Sequence, residues 1–275
     1  MKSFSRVVFQ DTAFRISCLL FVIFSLWWSY LHLIGATLDQ FQSWNGLYQL
    51  TALFGGIAGL IVAKKWGGFK SVMGRAAFMF SFGLLFEVIA QSAGYYYAYM
   101  STAGTVPYPS LSDVGAFGAL IFYAVGVIFL AEASGAHVSL RSYKGKLIAV
   151  LLPVLFLSTS FAIFLSSYQF DWSKPLTTFL DIGYPLGEAF YLSMAILSYL
   201  LSRKLLGGVM RAPILFFIAA LIAEYVADFL FLYDSHSGAY IPGGINDLLF
   251  VVSYSLMAIS IIQLGVVFKR IKETK

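Results

Sequence analysis

Almost the whole of this 275-residue chain is taken up by apolar stretches about as long as a bilayer is thick. A helix needs roughly 20 mostly apolar residues to cross the hydrocarbon core. Eight stretches meet or approach that length: 14–34, 46–63, 76–100, 113–133, 146–168, 180–201, 212–233 and 246–268. In lipid every backbone polar group must be satisfied from within the structure, so such stretches are expected to be helices. The expected fold class is all-α, a polytopic membrane protein with eight transmembrane helices and residues 1–275 forming a single transmembrane domain. Short connections such as 64–73 and 202–210 leave no room for a soluble domain. Composition agrees, at 60% hydrophobic and 11% charged, against roughly 45–50% and 25% in soluble domains. The first apolar run is too long for a signal-peptide core and no small-residue cleavage site follows it, so it reads as the first span.

On this layout every one of the 18 Lys and Arg residues except Lys174 falls at the same side of the membrane. Short cytoplasmic loops are enriched in Lys and Arg, which places both termini in the cytoplasm. The net charge of +5 does not indicate nucleic acid, because the basic residues sit in small groups at span ends and form no stripe. The expected partners are the lipid bilayer and a cytoplasmic signalling protein or a second copy of the chain. Trp27, Trp28 and Tyr30, with Trp44 and Trp172, suit an interfacial aromatic belt. Cys18 is the only cysteine, which excludes a disulfide or a cysteine-based metal site within one chain.

Laid side by side, the helix pairs show a weak repeat. Glu87 and Gln91 precede Asp113 as Glu224 and Asp228 precede Asp247, and Asp181 with Glu188 carries the outer Asp without the earlier Glu. Asn45 is the equivalent in the first pair. The repeat implies four up-down hairpins of the same orientation, unlike the inverted repeats of many secondary transporters.

The strings VPYPSLSDVGAFGAL, LDIGYPLGEAFYL and EYVADFLFLYDSHSGAYIPGGINDLLFVVSYSL carry Pro109, Ser110, Asp113, Asp181, Tyr184, Pro185, Ala227, Asp228, Asp247, Leu248 and Leu249. In these the chain resembles the multi-helix membrane region at the N-terminus of bacterial diguanylate cyclases, cyclic-di-GMP phosphodiesterases and some histidine kinases. The resemblance covers about residues 82–264. It implies a sensory membrane module in the plasma (inner) membrane, here followed by a short tail in place of an output domain.

Glu87, Glu188, Glu224 and Asp228 are the acids placed well inside spans, where ionisable residues are costly and point to function. At ~1.5 Å per residue, Glu87 and Glu224 lie about 18–20 Å from the inner surface, at matching depth. Gln91 and Asp228 lie one turn further out on the same faces. No Lys or Arg shares that depth, so these acids must carry protons, find neutral hydrogen-bond partners or pair with a cation. Tyr95, Tyr96, Tyr97, Tyr99 and Tyr108 crowd the outer end of the third span, with Tyr184, Tyr191, Tyr225 and Tyr254 elsewhere, and aromatic faces behind carboxylates suit an organic cation. The same tyrosines also fit a plain interfacial belt, and the acids also fit structural clasps between helices.

The expected ligand-binding set is Glu87, Gln91, Tyr95, Asp181, Tyr184, Glu188, Glu224 and Asp228, with Pro185 bending the sixth span beside it. Asp113, Asp181 and Asp247 sit near starts of inward-running helices, where they either cap free N–H groups or line an outer vestibule. His32 and His236 lack metal-ligand spacing, and neither a metal nor a cofactor is assigned. Nothing suggests catalysis, since no Ser–His–Asp set is arguable from spacing, and every lysine lies at a surface, which counts against a retinal Schiff base. The expected function is a non-enzymatic sensor that receives a small cationic or amphiphilic ligand from the outer side. The alternatives are a proton- or cation-coupled transporter or channel, and an accessory packing subunit of a membrane complex.

Overall fold

The computed structural model describes residues 4–102, 104–134, 142–166, 168–202, 208–237 and 241–273. Among them the chain is helical and contains no strand. The helices are α1 (Phe4–Gln10), α2 (Thr12–Leu33), α3 (Leu38–Leu47), α4 (Leu50–Lys65), α5 (Val72–Tyr95), α6 (Leu111–Ala133), α7 (Tyr143–Ser160), α8 (Pro175–Ser202), α9 (Gly208–Ser237) and α10 (Ile245–Glu273). Wider π-helical turns extend α5 through Tyr96–Met100 and α7 through Phe161–Leu165.

Helix starts follow local chemistry. Asp11 accepts from the N–H groups of Ala13 and Phe14 at the head of α2, and Ser71 and Ser142 accept from Gly74 and Gly145 at the heads of α5 and α7. At α6, Ser110 accepts the Ser112 N–H while Asp113 reaches back to the Ser110 N–H, closing a capping box. Such caps satisfy donors that a helix start otherwise leaves without partners.

Among the described residues, seven helical segments are long and apolar enough to cross a membrane, so the chain is a multi-pass membrane protein: Thr12–Leu33, Leu38–Lys65, Val72–Met100, Leu111–Ala133, Tyr143–Ile163, Met210–Asp234 and Ile245–Glu273. The expected span 180–201 coincides with α8, which is 28 residues long but is not among the seven. Asp181, Tyr184, Pro185, Glu188, Ser193 and Ser198 dilute its apolar character.

Six helices close a ring. α5 packs against α4 on one side and α6 on the other, α6 against α8, α8 against α9, α9 against α10, and α10 back against α4. α2 lies outside, against α10 and α4, and α7 lies outside, against α8. The most apolar stretch of α10 is 89% buried and that of α7 only 6%. One is core, and the other presents most of its apolar surface to its surroundings. Small residues allow the close approaches: an added Cβ at Gly115 of α6 would lie 2.3 Å from the Ala90 nitrogen of α5, and one at Gly55 of α4 2.6 Å from Ala258 Cβ of α10.

Tryptophans help to fasten α2 beside the ring. Trp44 is fully buried, with its indole N–H donating to the Phe24 carbonyl at 2.9 Å, so it is a core residue and not part of the expected belt. Trp172 is exposed, as an interfacial residue would be. Trp28 and His32 of α2 both reach the carbonyl of Gly243, at 2.8 and 3.0 Å. Gly243 has a positive φ and Phe41 occupies the space a Cβ would need, so that turn admits only glycine without rearrangement.

Candidate functional site

Inside the ring, four acids from three helices meet. Glu87 of α5, Glu188 of α8, and Glu224 and Asp228 of α9 line one cavity together with Ala116, Leu120 and Tyr123 of α6 and Tyr184 and Tyr191 of α8. No basic side chain lines it. Glu87, Glu188 and Glu224 are 6%, 3% and 2% exposed, so water offers them almost no solvation. The cavity volume is about 20 Å³, on a measure in which one water needs roughly 10–15 Å³. Its free space therefore suits a single water-sized occupant.

Hydrogen bonds order one side of the cavity. Tyr48 Oη donates to Gln91 Oε1 at 2.6 Å, Gln91 Nε2 donates to Tyr254 Oη at 3.0 Å, and Tyr254 Oη donates to Glu87 Oε2 at 3.0 Å. The chain links the break between α3 and α4 to the acid cluster through α5 and α10. Glu224 Oε2 and Tyr191 Oη are buried, and neither has a hydrogen-bond partner among the side chains and backbone described.

The outer acids stand apart from this cavity. Asp181 lies beyond the first turn of α8, which begins at Pro175, so it does not cap the helix; it accepts from Tyr108 and Tyr168, both at 2.6 Å. Two connecting segments are thereby tied to α8. Burial, and after it the bond to Asp181, pushes the Tyr108 phenol above its ordinary pKa. Asp113 bonds the start of α6 and accepts from Tyr184 Oη at 3.1 Å. Tyr184 thus touches the outer acid row and also lines the cavity. Asp247 accepts the Gly243 N–H at 2.6 Å in the first turn of α10.

Of the expected ligand set, the cavity gathers Glu87, Tyr184, Glu188, Glu224 and Asp228. Gln91 stands one hydrogen-bond step behind, against Tyr254. Tyr95 packs on Tyr99 and over Gly46 of α3, and Asp181 sits with its two tyrosines; neither lines the cavity. A larger apolar groove, about 430 Å³ on the same measure, lies along α5 and α6 between Val88, Ile89, Tyr96, Tyr97 and Leu111. No cluster of His, Cys, Asp or Glu among the described residues could hold a metal ion. His32 bonds Gly243 and packs at a tilt between the rings of Trp28 and Phe41. The side chain of His236 falls outside the described residues.

Sequence reasoning missed Tyr123 and Tyr48. Tyr123 is 2% exposed inside the ring, and its only sequence signal is a tyrosine far from either end of the most apolar span. Tyr48 needed the partner Gln91 from another helix to be recognised. Comparison of the chain with protein-family models, with curated proteins and with solved structures finds no match.

Proposed function

We propose that this chain is an eight-span sensory module of a plasma membrane, with both termini inside, that receives a small positively charged ligand at the acid cluster. The observation that carries this reading is the convergence of Glu87, Glu188, Glu224 and Asp228 on one cavity with no basic residue in its lining. Burying several acids without a counter-charge is costly, and a structural clasp needs only a pair. Two of the converging acids come from matching places in the proposed hairpin repeat, Glu87 on α5 and Glu224 on α9, and both line the cavity. The repeat reading is thereby supported by geometry that did not enter into it. α8 is proposed as the eighth span because it packs within the ring between α6 and α9. The motifs around Asp113, Asp181 and Asp247 support a signalling role by resemblance. A cytoplasmic signalling protein or a second copy of the chain would receive the output.

Occupancy of the cavity would shift the bonds at Glu87, and the Tyr254–Gln91–Tyr48 chain connects that change to the break between α3 and α4. A second reading, transport of protons or small cations, is favoured by the water-sized volume of the same cavity.

Thermal unfolding of the purified protein and of Glu224→Gln, across pH, monovalent and divalent ions, and small amines, tests the site. A ligand present at a hundred times its dissociation constant adds about 2.7 kcal/mol of stability. The expected result is a stabilisation of the wild type that Glu224→Gln loses. Equal behaviour of the two proteins under every condition would remove the ligand reading. Carboxylate-dependent flux in liposomes would favour transport over sensing.

A further inference from the structure

We infer that the acid cavity is widened by a hinge of α8 at Pro185, and that Asp181, held by Tyr108 and Tyr168, is the latch that keeps it narrow. This builds on the acid cluster being a ligand site and names the way in, past Tyr184. The present free space suits a single water. Anything larger reaches the acids only when a wall moves.

The walls differ in how they are joined. Between α5 and α6 the contact is against backbone: a Cβ added at Gly115 would meet the Ala90 main chain, and Ser112 Oγ donates to the Ala90 carbonyl at 2.9 Å. Between α9 and α10, Ser253 and Ser260 donate to the carbonyls of Ala220 and Pro213, at 2.9 and 2.6 Å. Between α6 and α8, side chains sit on bare backbone: the Phe117 ring fills the space beside Gly183, and Leu120 fills that beside Gly187. A side chain leaves such a seat by changing rotamer, which a backbone cannot do.

α8 also carries its own hinge. Pro185 has no N–H to offer the carbonyl of Asp181, four residues earlier, so residues 175–184 are joined to the rest of the helix by one hydrogen bond fewer. Ser160 of α7 donates to the Pro185 carbonyl at 2.7 Å and pins the helix at that point. Asp181 and Tyr184 precede the hinge and Glu188 and Tyr191 follow it, and spacings of three and four residues put all four on one face of α8. A swing of the outer segment carries Tyr184 off Asp113 of α6 and away from the acids, leaving Glu188 in place.

What opposes the swing is Asp181. Each of its carboxyl oxygens takes one phenol, Tyr108 from the segment before α6 and Tyr168 from the segment before α8, both at 2.6 Å. Tyr108 is half-exposed, so water can replace it on Asp181 when the latch releases.

The test is the rate at which methyl methanethiosulfonate, a small uncharged thiol reagent, modifies a cysteine replacing Ala116 on the cavity wall, in purified protein with a Cys18→Ser background. Adding Asp181→Ala, or Tyr108→Phe together with Tyr168→Phe, is expected to raise that rate at least about tenfold, since two hydrogen bonds favour the narrow state. Pro185→Ala, which restores the missing N–H, should slow the reaction again in either latch variant. A cysteine replacing Ala76, completely buried in the main core, should stay unreactive throughout. The pair of phenylalanine substitutions keeps the test decisive if Asp181→Ala does not fold. A rate already fast with the latch intact, a rate unchanged by the latch substitutions, no slowing by Pro185→Ala, or equal acceleration at Ala76 overturns the inference. Thermal unfolding of Glu224→Gln judges the ligand reading separately: cation stabilisation without latch dependence strikes only the hinge, and latch dependence without cation stabilisation strikes only the ligand.

Discussion

A glycine is legible in a sequence, but the neighbour it serves is not. Gly55, Gly56 and Gly59 on one stretch, and Gly83 with Gly94 on another, invite the expectation of close helix approach. The structure honours the first group and Gly83, where an added Cβ would meet the Tyr123 ring at 2.2 Å, but not Gly94, whose nearest neighbour would be Ser112 Oγ at 3.5 Å. At Gly115 the obstruction is the Ala90 backbone itself, which cannot rotate away. Gly115→Val is therefore expected to lower stability by at least about 1–3 kcal/mol, the cost of overpacking. Gly94→Ala should be neutral or stabilising, by up to roughly 0.5–1 kcal/mol, because alanine suits a helix interior better than glycine. Thermal unfolding of both variants in one detergent checks the pair, and equal destabilisation would show that the α5–α6 contact differs from the one described.

At the scale of elements, two helices of similar hydropathy have opposite environments. Both α7 and α10 are apolar along their length, and nothing in their composition says that the first lies outside the ring and the second within it. Burial follows from the contacts each helix makes, and those are set by the shapes of its neighbours. Leu155 of α7 is 60% exposed, so Leu155→Ala should change stability by no more than about 0.5 kcal/mol. Leu84 of α5 is completely buried in the main core, and Leu84→Ala should cost about 2–5 kcal/mol. Comparable losses from both would place α7 in an interface that the single chain does not show. α8 teaches the converse lesson. Its polar residues lower its mean hydropathy because several of them face partners inside the protein, Asp181 toward Tyr108 and Tyr168 and Glu188 toward the cavity.

For the whole molecule, the proposed orientation makes a direct prediction, since Cys18 is the only cysteine. In a Cys18→Ser background, a cysteine replacing Lys144 should react with a membrane-impermeant reagent only after the membrane is opened, and one replacing Lys174 should react in intact cells. The reverse pattern would invert the topology and put the Tyr184 route on the inner side. Helical class and membrane residence were determined by the sequence alone, because the length and apolarity of each stretch are local properties and lipid leaves a helix as the simplest way to satisfy its backbone. The unusual depth of Glu87, Glu188, Glu224 and Asp228 was also legible, since depth along a helix is a count of residues. Which helix faces meet was decided only by the tertiary structure. Helical rotation and side-chain fit, which no one-dimensional spacing contains, brought Glu87, Glu188, Glu224 and Asp228 to one cavity, set Tyr123 among them, and left Tyr95 and Asp181 outside it.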